Sequence, residues 1–195
     1  MNTRIKNIKE EIISDQWATL KKVHFDYQNE DGSWDQVRRE VYDRGDGACA
    51  LLYNVERQTV LLIKQFRLPA YLNEDSGFLI EACAGMIEDE TPKQTIIREI
   101  EEEMGYRIDS ITKAGDFFMT PGASTERIHM FLASYEEQQK VSNGGGLVTE
   151  HEDITVVEYA FAKALKALKN GEIRDAKTVI LLQNLALSGI MERSN

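Results

Sequence analysis

The stretch TPKQTIIREIEEEMGY, residues 91–106, constrains this chain more than any other. It carries its own ends. Thr91 is a helix N-cap by residue type, and Pro92 suits the first helical position, where its missing N–H costs nothing. Gly105 suits the left-handed residue that closes a helix. Between them lie roughly three and a half helical turns. At about 100° per residue, Ile96, Ile97, Ile100 and Met104 fall in one sector about 100° wide, so the helix must bury that side. On the same wheel Glu103 lies about 20° outside the sector, Glu99 about 60° and Glu102 about 120°. These three form one acidic stripe bordering the buried face. Glu101 falls about 40° beyond the opposite edge, as solvated surface, and Arg98 lies near the back of the helix.

Such a stripe opposes itself. Like charges one turn apart repel, and glutamates near a helix C-terminus oppose the dipole. Spacing alone leaves two readings open. One is a solvated acidic face, although such faces usually mix signs. The other is a carboxylate site whose missing counter-charge is a divalent cation. Glu99 and Glu103, one turn apart, can reach one ion. Oxygen-only donors suit Mg²⁺, or Mn²⁺ as a substitute, and such ions bridge carboxylates to substrate phosphates.

A chain of 195 residues suits one domain with a small extension. Residues 1–45 read as a strand-rich extension. In it, WATLKKVHFDYQ and WDQVRREVYD flank the turn signal NEDGS as a long hairpin. Residues 46–195 read as the main domain. GACALLYNV, TVLLIKQFRL, FLIEACAG, RIHMFLASY and ITVVEYAF are its strand candidates, and helices are expected at 91–104, 160–170 and 175–191. This order predicts a mixed α/β sandwich rather than a doubly wound fold. No GxGxxG or GxxxxGK[ST] is present to support a dinucleotide or P-loop site. SNGGGLVTE, residues 142–150, reads as a flexible glycine loop ending in acid.

Net charge is −10, which argues against broad nucleic-acid or anionic-membrane binding. An anionic small substrate then needs local cations or a metal. The two cysteines, Cys49 and Cys83, sit in apolar runs without metal-ligand spacing. They are expected to be buried, reduced thiols. The first residues lack the apolar stretch of a signal peptide, and a cytoplasmic location is expected.

With these residues in view, the chain resembles the Nudix hydrolases, whose box reads G-x5-E-x7-R-E-U-x-E-E-x-G-U, with U a bulky apolar residue. Gly85, Glu90, Arg98, Glu99, Ile100, Glu102, Glu103, Gly105 and Tyr106 occupy the matching positions. Four residues rather than five separate Gly85 from Glu90. RREVYDRGDGA, LLIKQFR, IEACAG, MTPGASTERIH and NGEIRDAKT extend the likeness over nearly the whole chain, toward the GDP-mannose and ADP-sugar pyrophosphatase branch. The resemblance implies a Nudix α/β/α sandwich, a Mg²⁺-dependent cleavage of a nucleotide sugar, and a homodimer whose N-terminal strands serve the partner's site.

It also implies roles. Glu99 and Glu103 are expected metal ligands, with the carbonyl of Ala84 completing the shell and Glu102 supporting it. Arg98 orients the glutamates. The loop adds a carboxylate that serves as ligand or base, Glu152 or Glu150. Arg67, Lys177 and Glu126 are expected to contact phosphate and sugar. Trp17, Arg38, Arg39 and Glu40 are expected substrate contacts from the N-terminal extension. GDP-mannose is the leading substrate and ADP-ribose or an ADP-sugar the alternative. A non-catalytic Nudix-like binding module should have lost the carboxylates that this chain keeps. A nucleoside-triphosphate hydrolase fits the N-terminal extension and the GEIRDAKT segment less well.

Overall fold

A computed structural model describes residues 4–73, 76–146 and 153–192. The chain divides into two compact units. The first runs to Asp46 and takes in Phe118–Arg127. The second holds Gly47–Phe117 and the rest of the described chain from Ile128.

The first unit is built on three antiparallel strands, β1 (Ile5–Asp15), β2 (Thr19–Gln28) and β3 (Trp34–Asp43). The turn signal NEDGS joins β2 to β3, with Gln28 paired to Trp34 and Thr19 to Asp43. Asp31 accepts hydrogen bonds from the Ser33 N–H at 2.9 Å and from its hydroxyl. Gly32, at φ 86°, supplies the left-handed residue that closes the turn. Strand β1 adds a third strand to the expected hairpin, with register shifts between Lys6 and Lys9 and between Ile12 and Ser14. Ile8 and Ile12 are 60% and 61% exposed on this sheet.

The second unit centres on a mixed sheet. Its strands are β4 (Gly47–Asn54), β5 (Thr59–Phe66), β6 (Phe78–Glu81), β7 (Cys83–Met86), β8 (Thr112–Phe118), β9 (Arg127–Ser134) and β10 (Thr155–Ala160). The main path is β10-β5-β4-β9-β8. β4 runs parallel to β9 and antiparallel to β5, and it is apolar on both faces, as a central strand must be. β4 and β5 pair directly only over Leu52–Asn54 and Thr59–Leu61. Beyond that they part, and β6 pairs with β5 while β7 pairs with β4. Ala82 is the joint between the two short strands.

Helix α1 (Leu68–Leu72) follows β5. Helix α2 (Pro92–Glu99) begins where expected. Thr91 and Gln94 form a reciprocal capping box, and Pro92 opens the helix. It continues as a π-helical turn over Ile100–Met104 and stops at Gly105, φ 77°. Ile96, Ile100 and Met104 are fully buried with Ala48, Ala50, Leu52, Leu61 and Ile63. The alternate residues of β4 and β5, Cys49, Leu51, Val60 and Leu62, are buried as well. Helices α3 (Phe161–Lys169) and α4 (Ala176–Leu187) pack on β10 and β4, and α4 buries Leu181, Leu182 and Leu185. The expected sandwich is therefore present. Among the described residues no helix is long and apolar enough to cross a membrane.

Ile100 ties α2 to the sheet and has no exposed surface. Ile100→Ala should cost about 2–5 kcal/mol through lost burial and the cavity left behind. In urea unfolding this should appear as a lower midpoint at an unchanged slope.

Candidate active site

Three carboxylates of the α2 segment converge on strand β7 or on Arg98. Glu103 is 1% exposed, and its Oε2 accepts a hydrogen bond from the Ala84 N–H at 3.3 Å. The helical wheel placed Glu103 at the edge of the apolar sector. The buried sector extends past that edge, because β7 covers it. The π-helical turn holds more residues per turn than an α turn, so Glu103 stays nearer the side of Glu99. Glu99 lies against Gly85, where a Cβ would sit 2.2 Å from Glu99 Oε1. Gly85 is thus a steric requirement of the carboxylate. Arg98 binds Glu99 at 2.9 Å, Glu102 at 2.7 Å and Glu90 at 3.2 Å. Through these pairs it orients Glu99 and Glu102, the role that the family resemblance implies. Glu101 turns away and pairs with Arg107 at 2.7 Å, on the surface.

The repulsion at the helix end is met by the glycine loop. Gly145 N–H donates to the Glu103 carbonyl at 2.9 Å, and Gly146 N–H to the Glu102 carbonyl at 3.2 Å. Gly144, at φ 65°, could not carry a side chain, since its Cβ would meet the Glu103 carbonyl oxygen at 2.3 Å. These glycines, read from sequence as flexible, cap the C-terminus of the acidic helix. The loop carboxylates Glu150 and Glu152 lie outside the described residues.

A second cluster joins the end of β5 to the start of α4. Glu81 is 1% exposed. Both its oxygens accept from Arg67, from Nε at 2.9 Å and Nη2 at 3.0 Å, and Lys177 Nζ donates to it at 2.5 Å. Lys177 also pairs with Asp175 at 2.8 Å. Asp175 is the N-cap of α4 and accepts from the N–H and hydroxyl of Thr178. The Thr178 hydroxyl in turn accepts from Ala82 N–H at 2.6 Å, at the joint between β6 and β7. Burial alone would raise the Glu81 carboxyl; Arg67 and Lys177 outweigh it and hold it down at about 2. Burial opposes the charge on Lys177, and Asp175 and Glu81 overcome it, raising the ammonium above its usual range. Arg67 also lies in the field of Glu103. Cys83, next to Ala84, is pushed well up by burial and by Glu103, and Cys49 is pushed up to about 12, mainly by burial. Both thiols are inert by that measure.

The structure thus brings Ala84, Glu99, Glu102, Glu103, Arg67 and Lys177 into the second unit. It shows Glu81 and Asp175 as partners that sequence reading missed. The partners of Glu81 lie 14 and 96 positions away, so no local pattern marks it, whereas Asp175 is bound to Lys177 and Thr178 just after it as the N-cap of α4. In the first unit, Trp17 is 67% exposed with the Arg44 guanidinium 5.1 Å from its ring centre. Arg38, Arg39 and Glu40 are exposed on β3, and Glu126 pairs with Arg44 at 3.2 Å. His129, on β9, pairs with Asp116 at 2.7 Å.

The donor set fits a hard divalent cation, because it is made of carboxylate and backbone oxygens, with the Glu99 carboxylate packed against the backbone of Gly85. It is incomplete by itself. Among the described residues no three His, Cys, Asp or Glu side chains converge as a metal cage.

The family model for the NUDIX domain matches residues 43–182. This chain belongs to the Nudix family. Nudix hydrolases generally use a divalent metal ion. The model for the GDP-mannose pyrophosphatase NudK N-terminal domain matches residues 4–42 of the same chain. Relatives named GDP-mannose pyrophosphatase from Cronobacter sakazakii and Escherichia coli K12 are 44% and 45% identical, over 98% of this chain and all of theirs. A crystal structure of an ADP compounds hydrolase matches the fold with a TM-score of 0.72 at 16% identity, over 97% of this chain and 95% of that one. The sandwich expected from sequence is a Nudix fold.

The Glu81 cluster makes the stability of this Nudix domain depend on acid. A carboxyl held at about 2, against 4.5 ordinarily, stabilises the fold above about 4.5 and loses that contribution as pH falls toward 2. Arg67→Gln removes one of the two cations. Its acid unfolding, followed by circular dichroism, should begin at a higher pH than that of the wild type.

Proposed function

We propose that this Nudix hydrolase cleaves the diphosphate of GDP-mannose with water, giving GMP and mannose 1-phosphate. The observation that carries this is the intact carboxylate stripe, with Glu99 and Glu103 against β7 and Glu102 held by Arg98. The names of the full-length relatives support the substrate. A bound Mg²⁺, or Mn²⁺ in its place, would neutralise phosphate charge and lower the pKa of a coordinated water. Glu99, Glu103 and the Ala84 carbonyl would hold it, with Glu152 or Glu150 completing the set.

The chain's own residues do the rest. Arg98 keeps Glu99 and Glu102 turned to one side of the helix. Arg67 offers its outer guanidinium edge to a phosphate oxygen, and Lys177 adds a second fixed positive charge. The carboxylate of Glu152 or Glu150 accepts the proton of the attacking water. Glu126 binds a sugar hydroxyl, and Trp17 stacks on the base.

We assign residues 1–45 to dimerisation and substrate binding and residues 46–195 to catalysis. The protein acts as a homodimer in this reading, with Arg39 and Glu40 of one copy reaching the other's substrate site, and Arg38 beside them as a further substrate contact. The exposed Ile8 and Ile12 on the N-terminal sheet support an interface there. Free, buried cysteines suit a cytoplasmic location.

Purified protein with Mg²⁺ should release GMP from GDP-mannose faster than AMP from ADP-ribose. Glu103→Gln should lower that turnover by at least about a hundredfold, as loss of a transition-state stabiliser does. Chelation should abolish it. Turnover of ADP-ribose well above GDP-mannose would overturn the substrate, and full activity in Glu103→Gln would overturn the site.

A further inference from the structure

We propose that Glu81 is a positioning residue for the hydrolysis, holding Arg67 and Lys177 in place and keeping Arg67 off the metal-site carboxylate Glu103. The proposal rests on the reading of the site as a diphosphate hydrolase.

The geometry supports it in three ways. First, Glu81 is the shared partner of two cations from distant segments, one leaving β5 and one opening α4. A bidentate guanidinium pair fixes both the distance and the plane of Arg67. The outer Nη1 edge has no partner among the described residues, so it faces outward with its direction set. Secondly, Glu81 stands three positions before Ala84, whose N–H binds Glu103. The cluster is also pinned at Ala82 through Thr178 and Asp175. Cations and carboxylates are thus registered to one strand joint. Thirdly, the charges balance. Glu81 and Asp175 offset Arg67 and Lys177, so neither cation needs Glu103 as a counter-ion.

Without Glu81 the balance changes in two opposing directions. One more net positive charge would attract a diphosphate in the ground state. Arg67, freed from its bidentate partner and already in the field of Glu103, would turn toward it. That would misplace the guanidinium and compete with a cation for Glu103. The first effect helps binding and the second harms the transition state. The expected signature is therefore a split. KM should change little while kcat falls.

The experiment compares wild type, Glu81→Gln and Glu81→Asp in steady-state hydrolysis of GDP-mannose, and in Mn²⁺ binding by calorimetry without substrate. Glu81→Gln should lower kcat by about a hundredfold, the scale of a misplaced catalytic group, with KM within about threefold of wild type. It should also weaken Mn²⁺ binding by about tenfold. Glu81→Asp keeps the negative charge facing Arg67 and Lys177 and serves as the second variant should Glu81→Gln not fold. It should keep Mn²⁺ affinity within about threefold of wild type and lose about tenfold in kcat. Wild-type kcat in a folded Glu81→Gln, or a loss confined to KM, would overturn the proposal. So would Mn²⁺ binding by Glu81→Gln equal to that of wild type, or wild-type kcat in Glu81→Asp. The Mn²⁺ arm decides the proposal even if no nucleotide sugar is hydrolysed, an outcome that would sink the functional reading alone.

Discussion

A carboxylate taken out of water needs a positive partner, and the second unit is arranged around that need. Glu103 and Glu81 are each 1% exposed, yet they meet it differently. Glu81 has two cations of its own, which outweigh the cost of burying it. Glu103 has a backbone N–H and, at longer range, the field of Arg67. Its neighbours Glu99 and Glu102 share one arginine that also serves Glu90. Three carboxylates, two of them in the stripe, thus meet on one guanidinium. In the proposed reading a divalent cation would add positive charge beside Glu99 and Glu103.

Local geometry makes the crowding of carboxylates tolerable. The glycine loop satisfies the carbonyls at the end of the acidic helix, where the dipole would otherwise add to the repulsion. Gly85 removes the one Cβ that would displace Glu99. The π-helical turn, a feature common at functional sites, keeps Glu103 on the side of Glu99. Each device costs conformational freedom and is placed where the carboxylates need it.

Much of this was legible in the sequence. The capped helix follows from local pattern because it satisfies its hydrogen bonds within a few residues. Strands β4, β5, β9 and β10 are marked by their apolar runs alone, although partners such as β9 for β4 lie far along the chain. The box residues gave the carboxylates and the orienting role of Arg98. Other features have no local signature. β1 and β8 are polar, largely exposed strands without a clean alternation, so nothing in their composition announces pairing. Glu103 looked like an edge residue because a wheel cannot show that β7 covers it. Glu81 looked like part of an apolar strand, since its partners Arg67 and Lys177 are 14 and 96 positions away. The glycines after Asn143 read as flexibility, when their positive φ values serve a cap.

The central claim is that the carboxylate stripe is a cation site whose own repulsion is relieved on binding. Thermal unfolding with and without Mg²⁺ tests it most directly. A ligand that binds only the native state raises the melting temperature, by an amount that grows with the logarithm of its affinity. Millimolar Mg²⁺ should raise the melting temperature of the wild type and leave that of Glu103→Gln unchanged. The metal-free variant should be no less stable than the metal-free wild type. Equal Mg²⁺ stabilisation of the two proteins, or none in either, would contradict the account.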